Sequence, residues 1–177
     1  MSKHYTYNDH LESERLITRF LTTEDMFVWS EFFKDKEAVE YLPTYGMDTI
    51  EERAKYWVDK QLNRYKDKKF GLQALIDKKS NDYIGQCGLI QQEVDGQNEI
   101  EVGYHVFKKY WGKGYAPEAA RVFIDYAFKN NLTDSVISII HIGNIKSQKV
   151  ALKNGLKREK QTRWMDMDVF IYRILKN

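Results

Sequence analysis

The chain has 177 residues, of which 42% are hydrophobic and 31% charged, as in an ordinary water-soluble globular protein. Its formal net charge of +2 provides no general basic field, which argues against a nucleic-acid-binding protein. A single cysteine, Cys87, excludes an intramolecular disulfide, and no apolar run of about 18 residues or signal-peptide core occurs. We therefore expect a cytoplasmic protein that neither binds nucleic acid nor spans a membrane.

The first third of the chain predicts one strand followed by two helices. Residues 16–21 indicate the strand, and apolar residues recur at helical spacing soon after Thr22. Thr49 and Glu52 have the spacing of a capping box, which predicts the start of the second helix.

Residues 71–106 predict an antiparallel meander with a turn at Asp95–Gly96. The later elements are expected in this order: a helix from Ala116, a strand at 135–142, a helix at 144–154 and strands at 156–162 and 168–175. The predicted fold class is α/β (α+β), with a mixed, mostly antiparallel central sheet of six to seven strands flanked by about four helices. We expect one domain over 1–177, with 1–13 as a poorly ordered extension.

The segment YWGKGYAPEAA, at 110–120, joins a predicted strand to the third helix. Gly112 and Gly114 allow the backbone to approach a ligand closely, and Pro117 is tolerated in the first turn of a helix. The N-terminus of a helix attracts anions, so the segment predicts a phosphate cradle. Neither the P-loop pattern nor the dinucleotide fingerprint fits it, and a tight turn without a ligand remains an alternative.

The same segment resembles the pyrophosphate loop of the GNAT-family N-acetyltransferases. Three further segments resemble the branch that acetylates ribosomal-protein alanine N-termini: EVGY at 101–104, GYAPEA at 114–119 and NIKSQKVALKNGL at 144–156. The resemblance covers most of the chain from Glu14 and implies acetyl-coenzyme A as cosubstrate, with no metal. Trp111, Pro117 and Leu156 depart from the family pattern.

The resemblance also implies a set of cofactor-binding residues. The backbone of His105 and Val106 would pair with the pantetheine arm and polarise the thioester carbonyl. Asn144 would bind the pantetheine arm, and Ser147 would support the cofactor or merely cap a helix. The residues expected around the pyrophosphate are Gly112, Lys113, Gly114, Tyr115 and Ala116.

Glu101 is the first candidate for the catalytic base, because direct transfer requires a group that accepts a proton from the amine. The alternative is a structural glutamate at a strand edge. Asn144 also suits a helix N-cap, and His141 is a weaker catalytic candidate. Ala151 stands where many relatives carry a tyrosine acid, so the general acid stays unassigned.

The acceptor is expected to be a primary amine, either a protein N-terminus or a small molecule. Asp166 and Asp168 would attract a cationic amine or simply form a turn. An aromatic rim to the acceptor site is expected from Tyr41, Leu42, Pro43, Tyr45, Trp164 and Met165. A non-catalytic acyl-coenzyme A sensor is the alternative function, and a homodimer is compatible with the resemblance.

Overall fold

The computed structural model describes residue 7, residues 10–43 and residues 45–177. A seven-stranded sheet runs through this part of the chain, in the order β1-β2-β3-β4-β5-β7-β6. Its strands are β1 (Leu16–Arg19), β2 (Leu72–Asp77), β3 (Tyr83–Val94), β4 (Gln97–Val106), β5 (Ser135–His141), β6 (Lys157–Trp164) and β7 (Met167–Leu175).

The described residues form five α-helices and one 3-10 turn at Lys108–Tyr110. The helices are α1 (Asp25–Lys34), α2 (Lys36–Val39), α3 (Ile50–Lys66), α4 (Tyr115–Lys129) and α5 (Ile145–Lys153). The sequence predicted about four helices, and α2 was missed. It forms because the Asp35 side chain accepts hydrogen bonds from the backbone N–H groups of Glu37 and Ala38 and so caps a new helix.

All strand pairs are antiparallel except β4 and β5, which confirms the predicted mixed, mostly antiparallel sheet. The β3–β4 turn at Asp95–Gly96 has positive φ angles of 50° and 75°, as a two-residue type I′ hairpin requires. The capping box at Thr49 and Glu52 is also present at the start of α3.

The two faces of the sheet carry separate apolar cores. Leu89 and Ile90 are neighbours on β3, yet they belong to different clusters because successive strand side chains point to opposite faces. The cluster around Leu89 includes the buried face of α4, and the cluster around Ile90 includes Trp29 from α1 and Trp57 from α3. The sheet is therefore covered by α1 and α3 on one side and by α4 on the other.

The expectation of a poorly ordered extension at 1–13 falls largely on residues 1–6, 8 and 9, which lie outside the described residues. Tyr7 is buried in the α4-side core, and Glu12 forms an isolated bridge with Ile17. None of the described helices is both long and apolar enough to cross a membrane.

Candidate active site

The site is a cleft where β4 and β5 separate. These two strands, both fully described, pair in parallel at one position, where Glu101 lies opposite Ile137. Just beyond it, the Ser138 hydroxyl donates a hydrogen bond of 3.3 Å to the carbonyl of Val102. The rest of β4 stays paired with β3 while β5 diverges, which opens a cleft of about 730 Å³.

Nine of the ten site residues predicted from the sequence line this cleft. They are Glu101, His105, Val106, Gly112, Gly114, Tyr115, Ala116, Asn144 and Ser147. Lys113 is not among the lining residues. Its carbonyl accepts a hydrogen bond of 2.9 Å from Arg15 Nη1, and its ammonium lies 5.6 Å from the centre of the Tyr110 ring.

The Glu101 carboxylate is buried at the point where the two strands part, with 9% of the residue exposed. Gln92 Nε2 donates a hydrogen bond of 2.8 Å to Oε2, and the backbone N–H of Ile139 donates one of 3.4 Å to Oε1. Burial raises the pKa of Glu101, and these two donors oppose the rise only in part. Because a raised pKa makes a carboxylate a stronger base, this environment suits Glu101 to accept a proton.

The glycine loop is shaped by left-handed backbone angles. Gly112 has a φ of 74°, and Gly114, the N-cap residue of α4, has a φ of 82°. Gly114 has no side chain that could cap the helix, so the first-turn N–H groups of α4 have no side-chain acceptor from the cap position. Pro117 lacks one of these donors, and Tyr115 and Ala116, which carry first-turn N–H groups with partial positive charge, line the cleft.

The free edge of β4 contributes backbone groups to the cleft. The N–H of Phe107 donates a hydrogen bond of 3.0 Å to Ile84 on the β3 side. Because backbone direction alternates along an antiparallel strand, the N–H groups of Tyr104 and Val106 face the opening and that of His105 faces β3. The His105 ring instead packs edge-on against Trp57, with centroids 4.8 Å apart, and burial lowers the pKa of His105 to about 4.

The start of α5 closes one side of the cleft. Asn144 Oδ1 accepts a hydrogen bond of 3.1 Å from the N–H of Ser147, which confirms Asn144 as an N-cap. The Ser147 hydroxyl donates to the Tyr104 hydroxyl over 3.0 Å, and that hydroxyl donates to the Ser147 carbonyl over 2.9 Å. Burial raises the pKa of Tyr104, so this link between β4 and α5 stays neutral.

Ala151 is 2% exposed in the α4-side core and does not line the cleft. His141 does line the cleft, where its ring stacks on Tyr41 with centroids 4.8 Å apart. Its Nδ1 accepts a hydrogen bond of 3.0 Å from the N–H of Gly143. His141 is thus oriented by its neighbours, and one ring nitrogen is already engaged.

Most of the residues that were predicted to form an acceptor rim line the cleft. Tyr41, Leu42, Pro43, Tyr45 and Trp164 line the cleft. Met165 does not, and Met167 lies there instead, because Met165 and Asp166 form the β6–β7 turn with positive φ angles. Asp166 and Asp168 are exposed outside the cleft. Asp166 lies in the turn, as one interpretation expected, whereas Asp168 lies in β7 opposite Arg163.

Three polar residues at the end of the cleft lined by Tyr45, the predicted acceptor end, were missed by the sequence analysis. Gln92 holds the Glu101 carboxylate, and Lys60 and Arg64 of α3 line the same end of the cleft. The sequence did contain one signal for the last two, since cations four residues apart share one face of a helix. Only the packing of α3 against the sheet shows that this face borders Glu101.

The residues present fit a phosphorylated, amide-containing cofactor. The uncapped helix start suits a pyrophosphate, and the unpaired N–H groups of β4 suit an extended amide chain. Within the described part of the chain, no three His, Cys, Asp or Glu side chains cluster as metal ligands would.

Comparisons with known proteins agree with this geometry. Residues 15–157 match the family model described as an acetyltransferase (GNAT) domain. The uncharacterized N-acetyltransferase p20 of Bacillus licheniformis is 28% identical over 181 aligned positions, which cover 94% of this chain and 96% of p20.

Two solved structures show the same fold. A GNAT-family acetyltransferase from Bacillus anthracis aligns with a TM-score of 0.77 and 26% identity, covering 94% of this chain and 98% of the other. RimL, a ribosomal L7/L12 α-N-protein acetyltransferase in complex with coenzyme A, aligns with a TM-score of 0.76. Its identity is 13%, over 94% of this chain and 98% of RimL, so this likeness concerns the fold alone.

Proposed function

The chain belongs to the GNAT acetyltransferases, and from that premise we propose that it transfers an acetyl group to a primary amine by direct attack, with Glu101 as the base. The observation that carries the proposal is the buried Glu101 carboxylate at the point where β4 and β5 part. A base there borders both the free edge of β4 and the aromatic acceptor end of the cleft.

Acetyl-coenzyme A supplies the thioester whose carbonyl carbon accepts the amine. The glycine loop and the start of α4 hold its pyrophosphate through Gly112, Gly114, Tyr115 and Ala116. Lys113 adds positive charge near this loop without lining the cleft.

The edge of β4 holds the pantetheine arm. The N–H groups of Tyr104 and Val106 pair with it and polarise the thioester carbonyl, as donors fixed in place before the reaction. The backbone of His105 pairs with β3, and this pairing keeps the N–H groups of Tyr104 and Val106 directed toward the opening. Asn144 and Ser147 position the start of α5 against the arm.

The reaction requires a group that accepts a proton from the amine, and we assign this role to Glu101. As the N–C bond forms and the C–S bond breaks, the amine loses one proton to Glu101 and the departing thiolate gains one. Only the carboxylate form of Glu101 accepts that proton, and its raised pKa strengthens it as a base. Ala151, which stands where many relatives carry a tyrosine acid, has no proton to donate, so the proton for the thiolate comes from another group or from water.

A protein N-terminal amine is one acceptor class, and the sequence resemblance to the ribosomal-protein branch supports it. RimL acts on the α-amine of a ribosomal protein and shares the fold, and the EVGY and GYAPEA segments resemble that branch. A small-molecule amine is the other class.

The test is thiol release from acetyl-coenzyme A in the presence of amines, with thermal melting as the measure of cofactor binding. We expect Glu101→Gln to lower kcat by roughly 10²–10⁴-fold while the cofactor-induced rise in Tm is kept. Glu93→Gln, an exposed change on β3, serves as the control and should keep full turnover. If the wild type shows cofactor binding but no turnover with any amine, the acyl-coenzyme A sensor is the better explanation.

A further inference from the structure

Two cations of α3 border the acceptor end of the cleft. Lys60 and Arg64 are four residues apart, so their side chains lie on the same face of the helix. Both line the cleft that contains Glu101, and both also line an adjoining hollow of about 740 Å³. They therefore lie between the cleft and the hollow, where the two adjoin.

Neutral groups hold both cations. Lys60 Nζ lies 4.9 Å from the centre of the Tyr45 ring and 3.4 Å from its hydroxyl, with the Tyr56 ring at 5.7 Å. Arg64 Nη1 donates a hydrogen bond of 3.0 Å to Gln61 Oε1, which also accepts one of 2.9 Å from the N–H of Leu72.

No carboxylate of the described chain lies within 4.0 Å of either cation. Asp59 also lines the hollow but is paired with Lys55, and the exposed Asp67 and Lys69 complete the charges there. Glu101 attracts Arg64 at longer range, but its oxygens are held by Gln92 and the backbone of Ile139.

This arrangement lowers the stability of the protein when no anion is bound. Burial and the neighbouring charge of Arg64 lower the pKa of Lys60, and burial lowers the pKa of Arg64 as well. Half-buried cations without an anion are destabilising, and such sites are normally completed by an anionic partner.

On the basis of the proposed function, we propose that the acceptor is a primary amine that also carries a carboxylate, which Lys60 and Arg64 bind while the amine reaches Glu101. The carboxylate offers two oxygens to the guanidinium and one to the ammonium. Polycationic amines, such as polyamines and aminoglycosides, are disfavoured because their additional charges would meet like charge at this end of the cleft.

The experiment compares acceptors that differ only in that carboxylate. Thiol release is measured with amino acids and their amides, and with short peptides that carry Glu or Gln as the second residue. The two series separate a free amino acid from an acidic peptide as the source of the carboxylate. We expect kcat/KM to be roughly ten- to a hundredfold higher for the carboxylate member of the preferred pair.

Variants of α3 show whether the two cations make the difference. Arg64→Gln should raise KM for the carboxylate acceptor by about tenfold or more relative to KM for the amide acceptor. Because Arg64 and Glu101 attract each other, any effect on the base is shared by both acceptors and cancels in this ratio. Arg64→Lys should lose less because it keeps the charge, and Lys66→Gln, at the exposed end of α3, is the matched control. A melting curve with acetyl-coenzyme A shows that each variant is folded and binds the cofactor.

Failure of this proposal can be told from failure of the proposed function. If amides, polyamines or neutral peptides are acetylated as well as the carboxylate acceptors, the two cations do not select the acceptor, although the enzyme stands. The same holds if Arg64→Gln affects both members of a pair equally. If no amine of any charge is acetylated, the proposed function itself fails.

Discussion

Glu101 combines burial with two hydrogen-bond donors, and the balance between them sets its proton affinity. Gln92 Nε2 and the N–H of Ile139 stabilise the carboxylate, whereas burial favours the neutral acid and raises the pKa above the ordinary 4.5. Because the reaction needs the carboxylate, kcat/KM should fall as pH falls through this raised pKa.

Replacing Gln92 with Leu tests this balance. The change removes the shorter donor, so the pKa of Glu101 should rise further and the acid limb of the kcat/KM profile should move to higher pH. The measurement is thiol release across the acid range, with Gln97→Leu, an exposed change at the start of β4, as control. An acid limb that stays in place in the Gln92 variant would exclude Glu101 as the group behind it.

His105 makes a different prediction, about stability. Its ring lies against Trp57, and burial lowers the pKa of His105 to about 4. Between the ordinary value near 6.5 and about 4, the unfolded chain binds a proton that the folded chain does not. The folded state should therefore lose stability as pH falls through this window.

The measurement is urea unfolding of wild type and His105→Gln at pH 7 and pH 5. The variant lacks the titrating ring, so its stability should fall less between the two pH values than that of the wild type. Equal losses in the two proteins would show that His105 titrates normally.

At the level of elements, the loop before α4 depends on a glycine in the left-handed region. Gly114 has a φ of 82°, and Gly96, in the β3–β4 turn, has a φ of 75° and serves as its match. An alanine at either position costs about 1 kcal/mol or more in backbone strain.

Only Gly114 lies in the cleft, so Gly114→Ala should also lose most of the Tm increase that acetyl-coenzyme A produces. Thermal melting with and without the cofactor compares the two variants. If the cofactor response survives in Gly114→Ala, or is lost equally in Gly96→Ala, the loop at Gly114 is not the site that binds the phosphate of the cofactor.

Local patterns explain which elements the sequence could predict. The Asp95–Gly96 turn and the capping box at Thr49 and Glu52 depend on neighbours within a few residues, and both were predicted. The short helix α2 was missed because its cap, Asp35, also ends α1. The role of Lys60 was invisible for another reason, since it follows from how α3 packs against the sheet.

The candidate site shows the same division. The resemblance identified Gly112, Gly114 and Glu101 as cleft residues because their motifs are contiguous in sequence. It could not show that Lys113 turns its carbonyl to Arg15, a residue 98 positions earlier. Contacts over such distances are set by the tertiary structure and leave no local pattern.

At the scale of the whole molecule, an ion pair ties the first strand region to the glycine loop. Glu118 of α4 accepts hydrogen bonds from the Ser13 hydroxyl at 2.7 Å and from the N–H and Nε of Arg15 at 2.8 and 2.7 Å. Arg15 in turn donates to the Lys113 carbonyl and lies over the Tyr115 ring, 4.2 Å from its centre. The chain before β1 therefore fixes the position of the loop.

Removing this pair should weaken both stability and cofactor binding. Glu118→Ala leaves Arg15 and the Ser13 hydroxyl without their acceptor, so we expect a loss of about 1–3 kcal/mol in the free energy of unfolding. The loop also loses its support, so the Tm increase with acetyl-coenzyme A should shrink. Urea unfolding and melting with the cofactor measure the two effects separately.

A second ion pair on α4 provides the control. Arg121 and Asp125 are exposed and lie 3.4 Å apart one turn along the helix, so Asp125→Ala should change stability by less than about 1 kcal/mol and leave the cofactor response intact. The two variants remove the same chemistry from one helix, and only Glu118 reaches the loop through Arg15. If both variants keep the full cofactor response, the loop holds its shape without the contact between Glu118 and the chain before β1. If both lose it equally, the cause is a general weakening of α4.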